Sequence, residues 1–238
     1  MTTSRRIALW GGMLYLATFV TSIPALALKT SFFAGTGGRS AGAWGVVLEL
    51  LLAASCVGTA VALYPATRRV SQTLGLGFVL SRTLEAAMIM VGVLAVLATA
   101  TVRAQGSDSV AELVALHDAS FLIGPAVMSA VNALLLGSVM YRSRLVPRLI
   151  PAFGLVGAPL LLASSVGVLL GVWTQTSTIA SIATVPVAMW ELSLGLWLVI
   201  RGFRAEAVAR LRLDEATASD LVQPVGPTSA VAEKSITA

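Results

Sequence analysis

Residues 76–102 read LGFVLSRTLEAAMIMVGVLAVLATATV. A helix crossing a bilayer needs about 20 mostly apolar residues, and this run exceeds that length. It is too long for a strand, and it lacks the two-residue alternation of a barrel wall. It is apolar on every face, as a helix surrounded by lipid or protein must be. Yet Arg82 and Glu85 stand inside it. At i,i+3 they share one face, and each ionisable side chain there costs about 2.5–3.5 kcal/mol to insert. This pair in a greasy run sets the reading of the whole chain.

Five more runs of the same kind flank it, at about 7–28, 44–64, 117–141, 149–172 and 179–200. The 238 residues are 57% hydrophobic and only 11% charged, with a mean hydropathy of +0.89. Soluble domains carry about 25% charged residues. A water-soluble fold this apolar would leave large greasy patches in water. The expected fold is therefore all-α, a polytopic membrane bundle of six transmembrane helices. Residues 1–203 form the six-span domain, and residues 204–238 form a cytoplasmic short helix and a disordered tail.

Orientation follows from the basic residues beside the spans. One set of flanks holds Arg5, Arg6, Arg68, Arg69, Arg142, Arg144, Arg148, Arg201, Arg204, Arg210 and Arg212; the other holds Lys29, Arg39 and Arg103. The imbalance places both termini inside. The formal charge of +5 thus reads as membrane flanks and not as a nucleic-acid surface. Arg5-Arg6 before an apolar run resembles an export signal, but the run is longer than the 7–15 apolar residues of one, so an uncleaved first helix is expected. The segment from Arg201 to Leu213 is expected as a short basic helix lying on the inner leaflet.

Polar residues within the spans are few: Glu49, Arg82, Glu85, Asn132 and Glu191. Counted at 1.5 Å per residue, Glu85, Asn132 and Glu191 fall at one height, roughly 13 Å from the arginine-rich side. With Arg82 paired to Glu85, Glu191 is an excess carboxylate. It pairs with Arg82 as well, holds a proton or binds something cationic. Two readings stand: a substrate-binding polar pocket of Arg82, Glu85, Asn132 and Glu191, or an ion-pair cluster that only orders the helices. Glu49 is expected to snorkel or to pair with an outer-loop base. His117 and Asp118 form either an acid–base pair at an outer vestibule or a helix start whose carboxylate favours the dipole.

Pro24, Pro125, Pro159 and Pro186 punctuate four spans and free backbone carbonyls there. Ala54, Gly58 and Ala62, and again Ala163, Gly167 and Gly171, make small-residue stripes expected to let helices approach within one chain. The single His and the single Cys make no metal site of the usual zinc kind, and Cys56 reads as a small core hydrophobe. No phosphate-cradling loop, H-E-x-x-H, C-x-x-C or G-x-S-x-G occurs. No catalytic residue, cofactor or metal is expected. The partners by this reading are the lipid bilayer and a small solute, a proton or a cation.

Several ordered stretches carry a family resemblance: GGMLYLATFVTSIPALAL (11–28), LELLLAASCVGTAVALYP (48–65), LGFVLSRTLEAAMI (76–89), LHDASFLIGPAVMSAVNALLLGSVMYRSRLVPRLIP (116–151) and ATVPVAMWELSLGLWLVIRGF (183–203). Over about residues 5–203 the chain resembles the bacterial multi-pass membrane family known as domain of unknown function 4386. The resemblance implies a helical protein of the bacterial cytoplasmic membrane with no assigned activity. It also implies that Arg82, Glu85, His117, Asp118, Asn132 and Glu191 lie in family motif stretches. The functional expectation is a small transporter or permease-like protein; the alternative is an accessory subunit whose buried charges only hold helices together.

Overall fold

The structure, a computed structural model, describes residues 2–106 and 109–222. Six helices are long and apolar enough to cross a membrane. They are α1 (Thr3–Phe33), α2 (Arg39–Thr67), α3 (Gln72–Ala104), α4 (Val110–Ser143), α5 (Leu149–Leu169) and α6 (Thr178–Ile200). A seventh helix, α7 (Ala205–Val222), follows. No strand occurs among the described residues. The expected disordered tail falls mostly on residues 223–238, which lie outside the described residues.

Local chemistry sets the helix ends. The hydroxyls of Thr2, Ser71 and Ser177 accept from the backbone N–H groups of Arg5, Leu74 and Ala180, capping α1, α3 and α6. Helix α5 stops short of the expected 149–172 because Gly171 turns left-handed at φ 71°. Its N–H then bonds to Val168 O while Val172 N–H bonds to Gly167 O, the paired closure that ends many helices. The first four helices outrun their apolar runs instead. Helix α1 continues past Leu28 to Phe33, and α4 starts at Val110 and not at His117. The added residues of α4, VAELVAL, are rich in good helix formers. Within α4, residues Leu122–Met128 are π-helical around Pro125, whose missing N–H breaks the regular ladder.

The six spans close into a ring: each packs on its sequence neighbour, and α6 returns to α1. Large apolar side chains such as Val20, Leu80, Leu94, Leu160 and Ile182 face outward, where hydrocarbon is their solvent. The half of the ring that carries the termini is packed solid around Tyr15, Leu63, Phe78, Leu136, Trp190 and Leu194. Arg5 fastens α1 to α6 there, donating to Leu198 O at 2.8 Å and to Val199 O at 2.6 Å; a cation at a helix C-terminus also meets the dipole.

Helix α7 differs from the expectation in length. It runs beyond Leu213, and part of its apolar side is covered. Ala207 is buried, and Val208 and Leu211 pack with Ile7, Leu145 and Phe203. The bundle's own end packs against these groups, while Leu213 on the same helix is exposed.

The expected small-residue stripes are not the tightest contacts from one helix to another. Ala54, Ala163 and Gly171 are exposed, and Gly167 lies beneath the Trp173 indole. One close approach that neither stripe marks is between α5 and α6. A Cβ on Gly154 would sit 2.8 Å from Trp190 Cγ, and one on Gly157 2.7 Å from Pro186 Cβ and 2.9 Å from Val187 N. The atoms facing Gly157 are ring and backbone, which cannot swing aside. Gly157→Ala is therefore expected to cost about 1–3 kcal/mol by overpacking, read as a lower melting temperature in detergent micelles. Gly58→Ala is expected to cost less, since only the flexible Leu14 side chain, at 3.2 Å, must yield.

Candidate functional site

Midway along the ring, α3 and α4 meet through a polar knot. Arg82 Nη1 donates to Glu85 Oε2 at 2.8 Å, and Asn132 Nδ2 donates to the same oxygen at 2.6 Å. Ser129 Oγ donates to Glu85 Oε1 at 3.1 Å, and Ser81 Oγ donates to Asn132 Oδ1. Arg82 and Asn132 are each 1% exposed. Both Glu85 oxygens are therefore engaged, as a buried carboxylate requires.

Glu191 joins from α6 on different terms. Its Oε1 lies 3.7 Å from Arg82 Nη2, within ion-pair range but beyond a hydrogen bond. Glu191 accepts no hydrogen bond among the described residues. Arg82 Nε and Nη2 and the Tyr15 hydroxyl have no hydrogen-bond partner there either, although the guanidinium stands 4.9 Å from the Tyr15 ring centroid and gains from that π face. The four residues singled out in the sequence are thus brought together. Their bonding is uneven: Glu85 is saturated, whereas Glu191 and one edge of Arg82 are not.

Two cavities adjoin this unsaturated side. The smaller, about 120 Å³, is lined by Thr18, Ser22, Cys56, Arg82, Glu85 and Glu191 among others. The larger, about 320 Å³, runs from Glu191 past Ala188, Thr184 and Ala180 to Gln175 in the α5–α6 loop. Its other walls are Phe19, the π-helical turn around Pro125, and Leu161 to Val168 of α5. Glu191 borders both. Pro186, on the same helix, is turned instead towards Gly157 of α5.

A second buried cluster lies nearer the opposite end. Lys29 forms an ion pair with Glu49, and its Nζ is 2.9 Å from His117 Nε2. Lys29 also sits 3.7 Å from the Phe121 ring centroid, and the His117 ring stacks on Phe121 at 4.6 Å. Lys29 and Glu49 are 1% and 0% exposed. Glu49 does find a base, but it is a helix residue and not a loop residue. The sequence reading placed Lys29 in the outer flank because its apolar count stopped at Leu28. The signal was Phe32-Phe33 beyond it, which carries the greasy face one more turn.

The same cluster corrects the reading of 117–118. Helix α4 starts at Val110, and Glu112 is the acidic residue of its first turn, so Asp118 does not serve the helix dipole. His117 is buried and turned to Lys29. Asp118 is 63% exposed and meets His117 Nδ1 at 3.1 Å from outside. The pair is split between interior and surface. Ser81, Ser129 and Tyr15 were also overlooked, since hydroxyls in membrane helices ordinarily bond their own backbone.

This uneven bonding separates the two glutamates by experiment. Glu85→Ala strips acceptors from a buried guanidinium and an amide and is expected to cost about 3–5 kcal/mol. Glu191→Gln removes no hydrogen bond and is expected to cost less than about 1 kcal/mol. Unfolding of each variant in mixed micelles gives both values.

No match was found among curated proteins or among solved structures. The family model described as Domain of unknown function (DUF4386) matches residues 10–202. Those residues hold all six apolar helices nearly whole and every member of both buried clusters. The chain therefore belongs to the DUF4386 family, a multi-pass helical membrane family whose function is unknown.

Proposed function

We propose that this protein is a small transporter of the bacterial cytoplasmic membrane, with both termini in the cytoplasm and with Arg82, Glu85, Asn132 and Glu191 as its solute site. The observation that carries this reading is Glu191: a carboxylate at mid-membrane that borders two cavities and accepts no hydrogen bond among the described residues. An intramembrane carboxylate that is paired only at 3.7 Å and borders cavities is a functional feature by default. One guanidinium faces two carboxylates in this layer, so a proton or a cation balances it. The apolar core around Tyr15 and Trp190 lies on the arginine-rich side of the knot and the larger cavity on the other, the kind of asymmetry that alternating access calls for.

A second reading has its own support. Glu85 ties α3 to α4 through Arg82, Asn132 and Ser129, which is how polar side chains fasten membrane helices. If Glu191 merely extends that fastening, the protein is an accessory subunit that moves nothing.

Proteoliposomes with a trapped pH dye, driven by a potassium diffusion potential, separate the two. The transporter reading expects proton uptake above that of protein-free vesicles, and Glu191→Gln is expected to return it to the vesicle leak. Undiminished uptake by the folded variant removes Glu191 as the site. No uptake by either, together with a stoichiometric co-purifying membrane partner, establishes the accessory reading. Orientation is tested separately: a reporter fluorescent only in the cytoplasm is expected to light up when fused to either terminus.

A further inference from the structure

We propose that the larger cavity binds a small amphipathic organic cation, an apolar or aromatic body carrying a single ammonium group that docks on Glu191. The inference deepens the solute site proposed above and rests on its reading of Glu191 as open to the cavity. Four features of the lining point to this class.

Charge comes first. Glu191 is the only ionisable side chain among the described residues that line the cavity. A lone carboxylate repels anions, and in a low-dielectric interior its attraction for a cation is far stronger than in water. Arg82 already donates to Glu85 and stands 3.7 Å from Glu191, which leaves the Glu191 oxygens free to accept from an ammonium. That ammonium would also bring the layer of two carboxylates and one guanidinium to neutrality.

The second feature is how little hydrogen bonding the walls offer. Ser165 Oγ donates to Leu161 O, Thr184 Oγ1 to Ala180 O, and Ser129 Oγ to Glu85. These hydroxyl protons are spent within the protein. Besides Glu191, Ser164 and the Gln175 amide are the other polar groups among the described residues of the lining, too few to replace the many water bonds that a sugar or polyol would lose. An apolar body loses nothing and meets Phe19, Leu161, Val168, Val187 and Ala188.

Third, the site is wrong for a metal ion. Calcium takes 6–8 oxygen ligands, whereas this cavity holds one carboxylate. No cluster of three or more His, Cys, Asp or Glu side chains suited to a metal occurs among the described residues.

Fourth, shape and size agree. The cavity of about 320 Å³ is at the small end of ligand pockets, which run from about 300 to 1,000 Å³. It is elongated along α6, since Ala180 and Glu191 are some 16 Å apart along the axis at 1.5 Å per residue. A molecule entering beside Gln175 reaches Glu191 with one end only, so charge at that end and apolar bulk behind it match the lining.

Phenethylammonium, 2-phenylethanol and phenylacetate share nearly one skeleton and differ in charge. Titrated calorimetrically into the protein in nanodiscs, with empty nanodiscs correcting for lipid partitioning, phenethylammonium is expected to bind at least about tenfold more tightly than the alcohol. Phenylacetate is expected not to bind. Glu191→Gln is expected to erase the preference for ammonium over alcohol, and Ala188→Trp to abolish binding of both by filling the cavity. An unchanged melting temperature in each variant verifies folding, and Ala188→Phe replaces Ala188→Trp if the latter unfolds. Equal affinity for ammonium and alcohol, no ammonium binding, or ammonium binding undiminished in Glu191→Gln would overturn the proposal. Binding without proton uptake in proteoliposomes overturns the transporter reading and leaves this site standing; uptake lost in Glu191→Gln without ammonium binding does the reverse.

Discussion

A guanidinium held in hydrocarbon must be met by acceptors, because the bilayer interior supplies none. Around Arg82 this requirement organises the middle of the bundle. Glu85, one turn on, provides the charge. Asn132 and Ser129 on α4 also donate to Glu85, which sets the rotation of α4 about its axis. The π-helical turn at Leu122–Met128 lies between this knot and His117. It lets one helix present Asn132 and Ser129 to Glu85 and also His117 to Lys29. Gly124 belongs to the same fit, since a Cβ there would stand 2.5 Å from Met88 Cβ.

The two charged clusters divide the molecule by height. On the terminal side of the Arg82 knot the interior is dense and apolar, and dispersion contacts hold the helices where no polar group is at stake. Beyond the knot the ring is looser, with cavities bordered by Phe19, Phe121 and Pro125. The Lys29–Glu49 pair joins α1 to α2 on that looser side. Phe121 touches both regions: it covers Lys29 and His117 and also lines the two cavities.

The spans are legible in the sequence because their length and apolarity obey one physical limit, the thickness of a hydrocarbon layer. The Arg82–Glu85 contact follows from i,i+3 spacing, and the approach of Glu191 from counting residues to a common height. Lys29 is illegible to that method: an apolar count ends at the first charge, whereas a helix continues wherever the charge has a partner across the interface. His117 is displaced for the same reason, since the helix begins seven residues before it. Glycine stripes mislead in another way. Periodicity shows which small residues align but not which face meets a neighbour, so Gly154 and Gly157 matter where Ala163 and Gly171 do not. The uneven bonding of Glu85 and Glu191 depends on side-chain directions that no spacing encodes.

Helix α6 differs from its neighbours in how it is moored. Arg5 grips its last carbonyls, Trp190 and Pro186 nest against the glycines of α5, and its one carboxylate makes no hydrogen bond among the described residues. Tilting α6 about its arginine-clamped end therefore stretches one long ion pair and some dispersion contacts, while the tightly bonded charges of α1 to α4 stay where they are. Helices α5 and α6, which form much of the larger cavity's wall, are thus held by fewer charged contacts than α1 to α4.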